Sequence, residues 1–246
     1  MYLVLRSFGG FGNQLFQYFF CLNLQQKYKY REVYSTHDSN YEHNFKINES
    51  LLIYKEPPKH IKFISDLRLP MILSRIGLYK KGYVKLGKYI FLDSYFQDKD
   101  FYSSFRKSDI RHSLEQMRNI LGIQKKEARF EDVYHIRLGD FFSSEKDEID
   151  FLKSTLKKMK PNSHIITNRQ DLLGIKNIKE KMEIMDLDFL DTDGLDPKDL
   201  IERFSVFLNI HSNNSTLAFW AALLYGRNFD AESSKLLELQ SIFSQK

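Results

Sequence analysis

Hydrophobic and polar positions follow two alternating rhythms along this chain. YLVLR, residues 2–6, is a short apolar run that predicts a strand. SFGGFGNQ, 7–14, follows with three glycines in four positions. LFQYFFCLNLQQKY, 15–28, is dense in apolar residues and too long for a strand, which predicts a buried helix. Strand, glycine loop and helix open a Rossmann-like unit. Residues 29–88 are mixed and polar, with breaks at Pro57-Pro58 and Pro70 and room for a short strand at 31–35. KYIFLDSYFQ, 88–97, predicts a buried strand running into a polar loop. Across 98–128, Ile110, Leu114, Met117 and Leu121 recur at helical spacing and Gly122 marks an end, so a helix is expected to link two halves.

The second half alternates more plainly. In EDVYHIRLGDF, 131–141, Val133, His135 and Arg137 alternate with Tyr134, Ile136 and Leu138, a strand over 131–138 that runs into the turn pair Gly139-Asp140. A helix near 147–159, stopped by Pro161, leads to the strand HIIT, 164–167. A weaker helix over 171–182, interrupted by Gly174, leads to an expected strand over 183–190 and the acidic loop DTDGLD. Asp196 as N-cap and Pro197 at the first helical position open the next helix. A strand at 206–212, the loop 213–216, an apolar helix over 217–226 ending at Gly226 and a short amphipathic helix at 232–244 complete the pattern. This repetition predicts an α/β fold with mostly parallel sheets and helices on both faces. The halves are expected at 1–105 and 106–246, and there are no internal repeats.

Composition narrows the classes. The chain has 246 residues, of which 42% are hydrophobic and 15% aromatic, ample for a core. No apolar run approaches bilayer-spanning length, and the first residues lack the basic and apolar regions of a signal peptide. Cys21 is the single cysteine, so an intramolecular disulfide is impossible, which fits a reducing, cytoplasmic compartment. Lys plus Arg minus Asp plus Glu is 37 − 32 = +5. That excess suits an anionic ligand, an anionic membrane surface or nucleic acid. No RNA-binding signature accompanies it, and nucleic acid is not expected. The lysines between Tyr79 and Lys88 are by default a solvated face, with a membrane-surface patch as the alternative.

Three loops carry candidate chemistry. His135 and Arg137 share one side at the carboxyl end of a strand, where ligands bind open α/β sheets. An arginine fork matches the paired oxygens of a phosphate. A structural ion pair and a core histidine would give the same sequence. At 9–14, Gly10 and Gly12 would let backbone approach a ligand, although the spacing is not G-x-G-x-x-G and a bare packing turn looks the same. At 213–216, Asn214, Ser215 and Thr216 sit where a helix begins, an anion site or a plain N-cap. Asp140 is placed to act as a base, or to satisfy its own turn, with His37, Asp38 and Glu42 as other candidates. Asp186-x-Asp188 and Asp191-x-Asp193 read as solvated acids rather than metal ligands.

GGFGNQLFQY (9–18), DSYFQDKDFY (93–102), HIRLGD (135–140) and NNSTLAFWAALL (213–224) fall in the order and rough spacing of four motifs of glycosyltransferase family 11. The chain resembles these bacterial α-1,2-fucosyltransferases in outline along nearly its whole length. The resemblance implies a GT-B-like fold, two Rossmann-like halves facing across a cleft, with the N-terminal half on the acceptor side and the C-terminal half on the donor. It implies inverting transfer of L-fucose from GDP-fucose to the 2-hydroxyl of a galactose-terminated glycan, without metal or cofactor. Surface glycan synthesis, such as O-antigen or capsule, would then place the chain in the cytoplasm with peripheral contact at the inner face of the membrane. By the same resemblance Arg137 would hold the donor diphosphate and neutralise departing GDP. His135 would touch the nucleotide, and Ser215 and Thr216 would donate to phosphate. Gly10, Gly12 and Asn13 would bring the N-terminal loop to the fucose or diphosphate, so that Arg137, Asn13 and Asp140 form the catalytic set. The chain departs from the family at Leu138, where the pattern has a second arginine. It departs also at Leu217-Ala218-Phe219-Trp220, and at Thr167–Asp171, where the family often carries a Ser-Asp-Asp-like segment bearing on the guanine contact. Another sugar or linkage on the same fold, or a catalytically weak nucleotide-sugar-binding protein, are the alternatives.

Overall fold

The computed structural model describes residues 2–28, 32–37, 54–55, 57–68, 72–73, 76, 82–124, 126–139, 141–192 and 194–244. They fall into two compact units, Met1–Ile123 with Ser241–Lys246, and Gln124–Gln240. Both are Rossmann-like α/β units, in keeping with the expected fold class.

The first unit holds β1 (Tyr2–Ser7), α1 (Phe11–Tyr28), β2 (Glu32–His37), β3 (Tyr54–Lys55), α2 (Lys59–Asp66), β4 (Tyr83–Leu86), β5 (Tyr89–Leu92) and α3 (Lys107–Ile120). Its sheet runs β3-β2-β1-β5-β4, parallel except for the β4–β5 edge. Leu3, Val4 and Leu5 of the central strand are wholly buried, as strands covered on both faces must be. α1 is buried from Phe11 to Asn23 apart from Asn13, which explains why its sequence is apolar on nearly every side. The strand expected over 88–97 is the second arm of a hairpin and ends at Leu92. Gly87, at φ +55°, turns the hairpin. Beyond it Phe96 leaves the sheet and stacks on Phe20 at 4.1 Å.

α3 buries Ile110, Leu114 and Met117, the spacing seen in the sequence, and packs against α1. The division between units therefore falls after Ile123, whereas the sequence suggested 105/106. An apolar helical stripe needs a partner, and here that partner is the preceding unit. Near the end of the chain, Phe243 packs edge-on against Phe19 at 4.8 Å and Tyr102 at 4.7 Å, which returns residues 241–246 to the first unit.

The second unit holds β6 (Phe130–Ile136), α4 (Glu145–Leu156), β7 (His164–Thr167), α5 (Lys176–Ile184), β8 (Asp188–Phe189), α6 (Pro197–Phe204), β9 (Phe207–Ser212), α7 (Thr216–Tyr225) and β10 (Asn228–Ala231), followed by α8 (Ser234–Phe243). All pairs in its sheet are parallel, in the order β10-β9-β6-β7-β8. Asp196 caps α6 by accepting from Lys198 N–H at 2.8 Å, with Pro197 in the first turn as expected. Gly226, at φ +67°, ends α7 in the left-handed conformation. The strand expected over 183–190 is mostly helix and turn. α5 continues to Ile184, and Asp186 at φ +52° turns the chain, so only Asp188–Phe189 pairs. β10, four residues long, carried too little alternation to be expected at all.

Candidate functional site

In the second unit the chain runs from β6 to β7 on one side and returns through β9 on the other. The carboxyl ends of β6 and β9 therefore form the topological switch point, the place where open α/β sheets bind ligands. β6 stops at Ile136, but its pairing does not. Asn213, one residue past β9, accepts from Arg137 N–H at 3.0 Å and donates to Arg137 C=O at 2.7 Å. Asn168, one residue past β7, accepts from Leu138 N–H at 2.8 Å and donates to Leu138 C=O at 3.0 Å. Two amides thus continue the ladder by one residue on each side, holding successive peptide units of the loop from opposite flanks. Gly139 then turns the chain at φ +90°.

Alternation decides where the side chains go. Leu138 is fully buried in the core with Leu152, Leu156 and Ile165. The position at which the family pattern has a second arginine thus points inward here, and a charge there would be buried. Arg137 is half-buried, its guanidinium carbon 4.7 Å from the centre of the Phe141 ring. His135 shares Arg137's side of the strand but is only 8% exposed and lies edge-on to Phe204. Burial, with the neighbouring positive charge of Arg137, lowers its pKa to about 4. His135 packs against Phe204 of α6 and also lines the groove at this edge of the sheet.

α7 starts beside this loop. Ser215 is its N-cap, the hydroxyl accepting from Ala218 N–H at 3.2 Å, and Ser212 Oγ accepts in turn from Ser215 N–H at 3.0 Å. Ser215 is buried, so it shapes the helix start, while Asn214 is exposed and Thr216 half-buried in the first turn. The positive end of the α7 dipole lies at the switch point. A groove of about 360 Å³ reaches this edge at Ser212 and Asn213 and is walled by Tyr134 and His211, whose rings stack at 4.4 Å.

The corner beyond β7 is differently charged. Arg169 is bound by Glu148 at 2.6 Å, Asp171 at 2.8 Å and Glu145 at 3.3 Å. Its hydrogen bonds to Asp171 raise its own pKa and lower that of Asp171. The one acid in the 167–171 segment is therefore engaged with a cation of the same loop.

At the carboxyl edge of the first unit, Gln17 clasps the Phe8 backbone, accepting from its N–H at 3.3 Å and donating to its C=O at 3.0 Å. Gln14 donates to Gly9 C=O at 2.7 Å. Gly9 sits at φ +79°, and a Cβ there would lie 2.8 Å from the Tyr95 ring, so only glycine fits. Gly10 is exposed with open space around it, whereas Gly12 is buried within the first turn of α1. Gly12 therefore stands at the start of the helix, two residues after the exposed Gly10. Asn13 Oδ1 accepts from Gln97 Nε2 at 2.7 Å. Beneath them Asp93, directly after β5, lies 3.6 Å from Arg6 and 3.4 Å from Arg68.

The structure thus gathers Arg137, Asn214, Ser215 and Thr216 at one edge of the second unit, and Gly10 and Asn13 at one edge of the first. Asp140, Asp38 and Glu42 lie outside the described residues, and His37 closes β2. Asn168, Asn213, Gln14 and Gln17 were not singled out from sequence. A usable signal existed for the first two, since each is an asparagine directly after a strand flanking β6.

No protein-family model and no curated protein matches this chain. Among solved structures, the E. coli heptosyltransferase WaaC with ADP is similar over 94% of this chain and 86% of its own, with a TM-score of 0.42 and 8% identity.

Proposed function

We propose that this chain is a GT-B-type glycosyltransferase that takes a nucleotide-sugar donor at the switch point of its second unit. In its specific form, it moves L-fucose from GDP-fucose to the 2-hydroxyl of a galactoside. The observation that carries this reading is the Arg137 loop. Its backbone is fixed on both sides by Asn213 and Asn168, and Asn213 lies two residues before Ser215, the N-cap of α7. A diphosphate there would meet a planar donor fork and a helix N-terminus together. As the glycosidic bond breaks, negative charge grows on the departing diphosphate. Donors already held in place stabilise that charge without reorganising. The sugar and linkage rest on the four-motif resemblance. On the first unit, the Gly10–Asn13 turn is the element proposed to meet fucose or diphosphate, and Asp140 is proposed as the base for the acceptor hydroxyl. The reaction is proposed to need no metal or cofactor, and the work is placed at the cytoplasmic side of a membrane.

A second reading changes only the nucleotide sugar. It is favoured by Asp171, which is bound to Arg169 where a guanine-contacting acid would be wanted. Melting of the chain with GDP, GDP-fucose, GDP-mannose and UDP-galactose separates the two. A ligand at about a hundredfold over its Kd stabilises the folded state by about 2.7 kcal/mol. Arg137→Ala should remove both the shift and transfer, while its unliganded melting stays within about 2 °C of the parent. Unfolding of that variant would make Arg137 structural and overturn the proposal.

A further inference from the structure

We infer that a cavity on the flank of the first unit is a binding site for a neutral oligosaccharide. The cavity encloses about 810 Å³, within the range of about 300–1,000 Å³ for small-ligand sites. It lies between the second half of α1, the β4–β5 hairpin and residues 98–105. None of its lining residues belongs to the Gly10–Asn13 turn or to the second unit, so the inference goes beyond the proposed transfer.

The local sequence accounts for its walls. Phe20, Ile90 and Phe105, all buried, give it apolar lining together with the half-buried Leu24. In the hairpin Tyr83 pairs with Leu92 and Lys85 with Ile90, so Tyr83 and Lys85 stand on the same face as Ile90. Residues 98–105 close the other side on fixed supports. Lys27 donates to Ser104 C=O at 2.8 Å and lies over the Tyr28 and Phe105 rings at 5.1 and 5.5 Å. Asp98 accepts from Asp100 N–H at 3.0 Å, Ser103 Oγ donates to Asp100 C=O at 2.8 Å, and Phe101 meets Phe20 edge-on at 5.6 Å. The walls are therefore in place before a ligand arrives, which lowers the ordering cost of binding.

The chemistry selects the occupant. Tyr28 and Tyr83, 50% and 37% exposed, bring aromatic surface to the lining. The charged side chains that line the cavity are Lys27, Lys85, Asp98 and Asp100, a balance of 2 − 2 = 0. No arginine is among them, and Lys27 and Tyr28 belong to the carboxyl end of α1, where the helix dipole is negative. A phosphate or an acidic peptide is therefore disfavoured. An acyl chain would desolvate the charged groups without giving them a hydrogen bond. A neutral sugar ring meets every feature. Its C–H face, slightly positive, packs on the negative face of an aromatic ring. Its hydroxyls donate to the Asp98 and Asp100 carboxylates and accept from Lys85.

The test is calorimetric titration of the full chain, without nucleotide, with lactose, maltotriose and sialyllactose. Lactose is included because the proposed reaction takes a galactoside, and maltotriose because it contains no galactose. At least one of these two neutral sugars should bind, and sialyllactose, which adds a carboxylate, should bind less tightly than lactose. Tyr83→Ala should weaken binding about tenfold, the upper end for one aromatic contact, whereas Tyr83→Phe keeps the ring and should bind like the parent. Circular dichroism of both variants should match the parent. Arg137→Ala should bind sugar unchanged, and Tyr83→Ala should keep nucleotide-induced melting shifts, so the flank site and the donor site are judged separately. The inference fails if neither neutral sugar binds, if sialyllactose binds as tightly as lactose, or if Tyr83→Ala binds like the parent. It fails also if Arg137→Ala abolishes sugar binding, or if the chain forms a dimer that Tyr83→Ala breaks.

Discussion

Asn213→Ala probes the arrangement on which the candidate site depends. The substitution removes one acceptor and one donor, leaving Arg137 N–H and C=O without their partner at 3.0 and 2.7 Å. Each such bond contributes about 1 kcal/mol net, and an unsatisfied buried group costs about 1–3 kcal/mol. The site is partly buried, so water can replace some of what is lost, which favours the low end. A total of about 2 kcal/mol is therefore expected, or roughly 4–8 °C in the melting of a chain of this length. Loss of the clamp also frees the loop that carries the guanidinium, so the nucleotide-induced shift should fall further than stability alone explains. Asn168→Ala provides the comparison. It removes the matching pair from Leu138 and should lower melting similarly, while affecting nucleotide binding less, because Leu138 faces the core. Differential scanning fluorimetry with and without nucleotide reads both quantities. An Asn213→Ala chain that melts and responds like the parent would show that the loop holds its geometry by other means, and the clamp argument would fall.

Acid should destabilise the second unit through His135, whose pKa is about 4 in the folded chain against 6.5 for an ordinary histidine. The unfolded chain binds the proton first, so stability falls as pH drops from about 6.5 to about 4, by on the order of 3 kcal/mol. His135→Phe should flatten that part of a pH series of urea titrations, and an unchanged slope would mean another group is responsible. Leu138→Arg, which recreates the double arginine of the family pattern, should destabilise the chain by more than about 3 kcal/mol, because the position is wholly buried. Wild-type-like melting of that variant would show that the loop can turn its side chain outward.

Much of the architecture was legible in the residues alone. The uninterrupted apolar stretch of α1, the alternation through β6 and the Asp196-Pro197 start of α6 are local patterns whose cause lies within a few residues, so reading them needs no partner. The reversal at Gly226 and the helical spacing of Ile110 to Met117 are of the same kind. What the sequence could not say is which surface each pattern meets. α3 looked like a linker until its stripe was seen against α1, and 183–190 looked like a strand until the left-handed turn at Asp186 divided it. The candidate site divides along the same line. Arg137 beside a glycine turn at a strand end suggested an anion site from the residues alone. Whether neighbouring polar residues face a ligand or the protein itself depends on contacts distant in sequence. Asn213 and Asn168 lie 76 and 30 residues from the peptides they hold, and only the meeting of β7 and β9 on either side of β6 brings them there. His135 and Leu138 went inward for the same reason, since the layers that close over them, α6 on one side and α4 on the other, come from later in the chain.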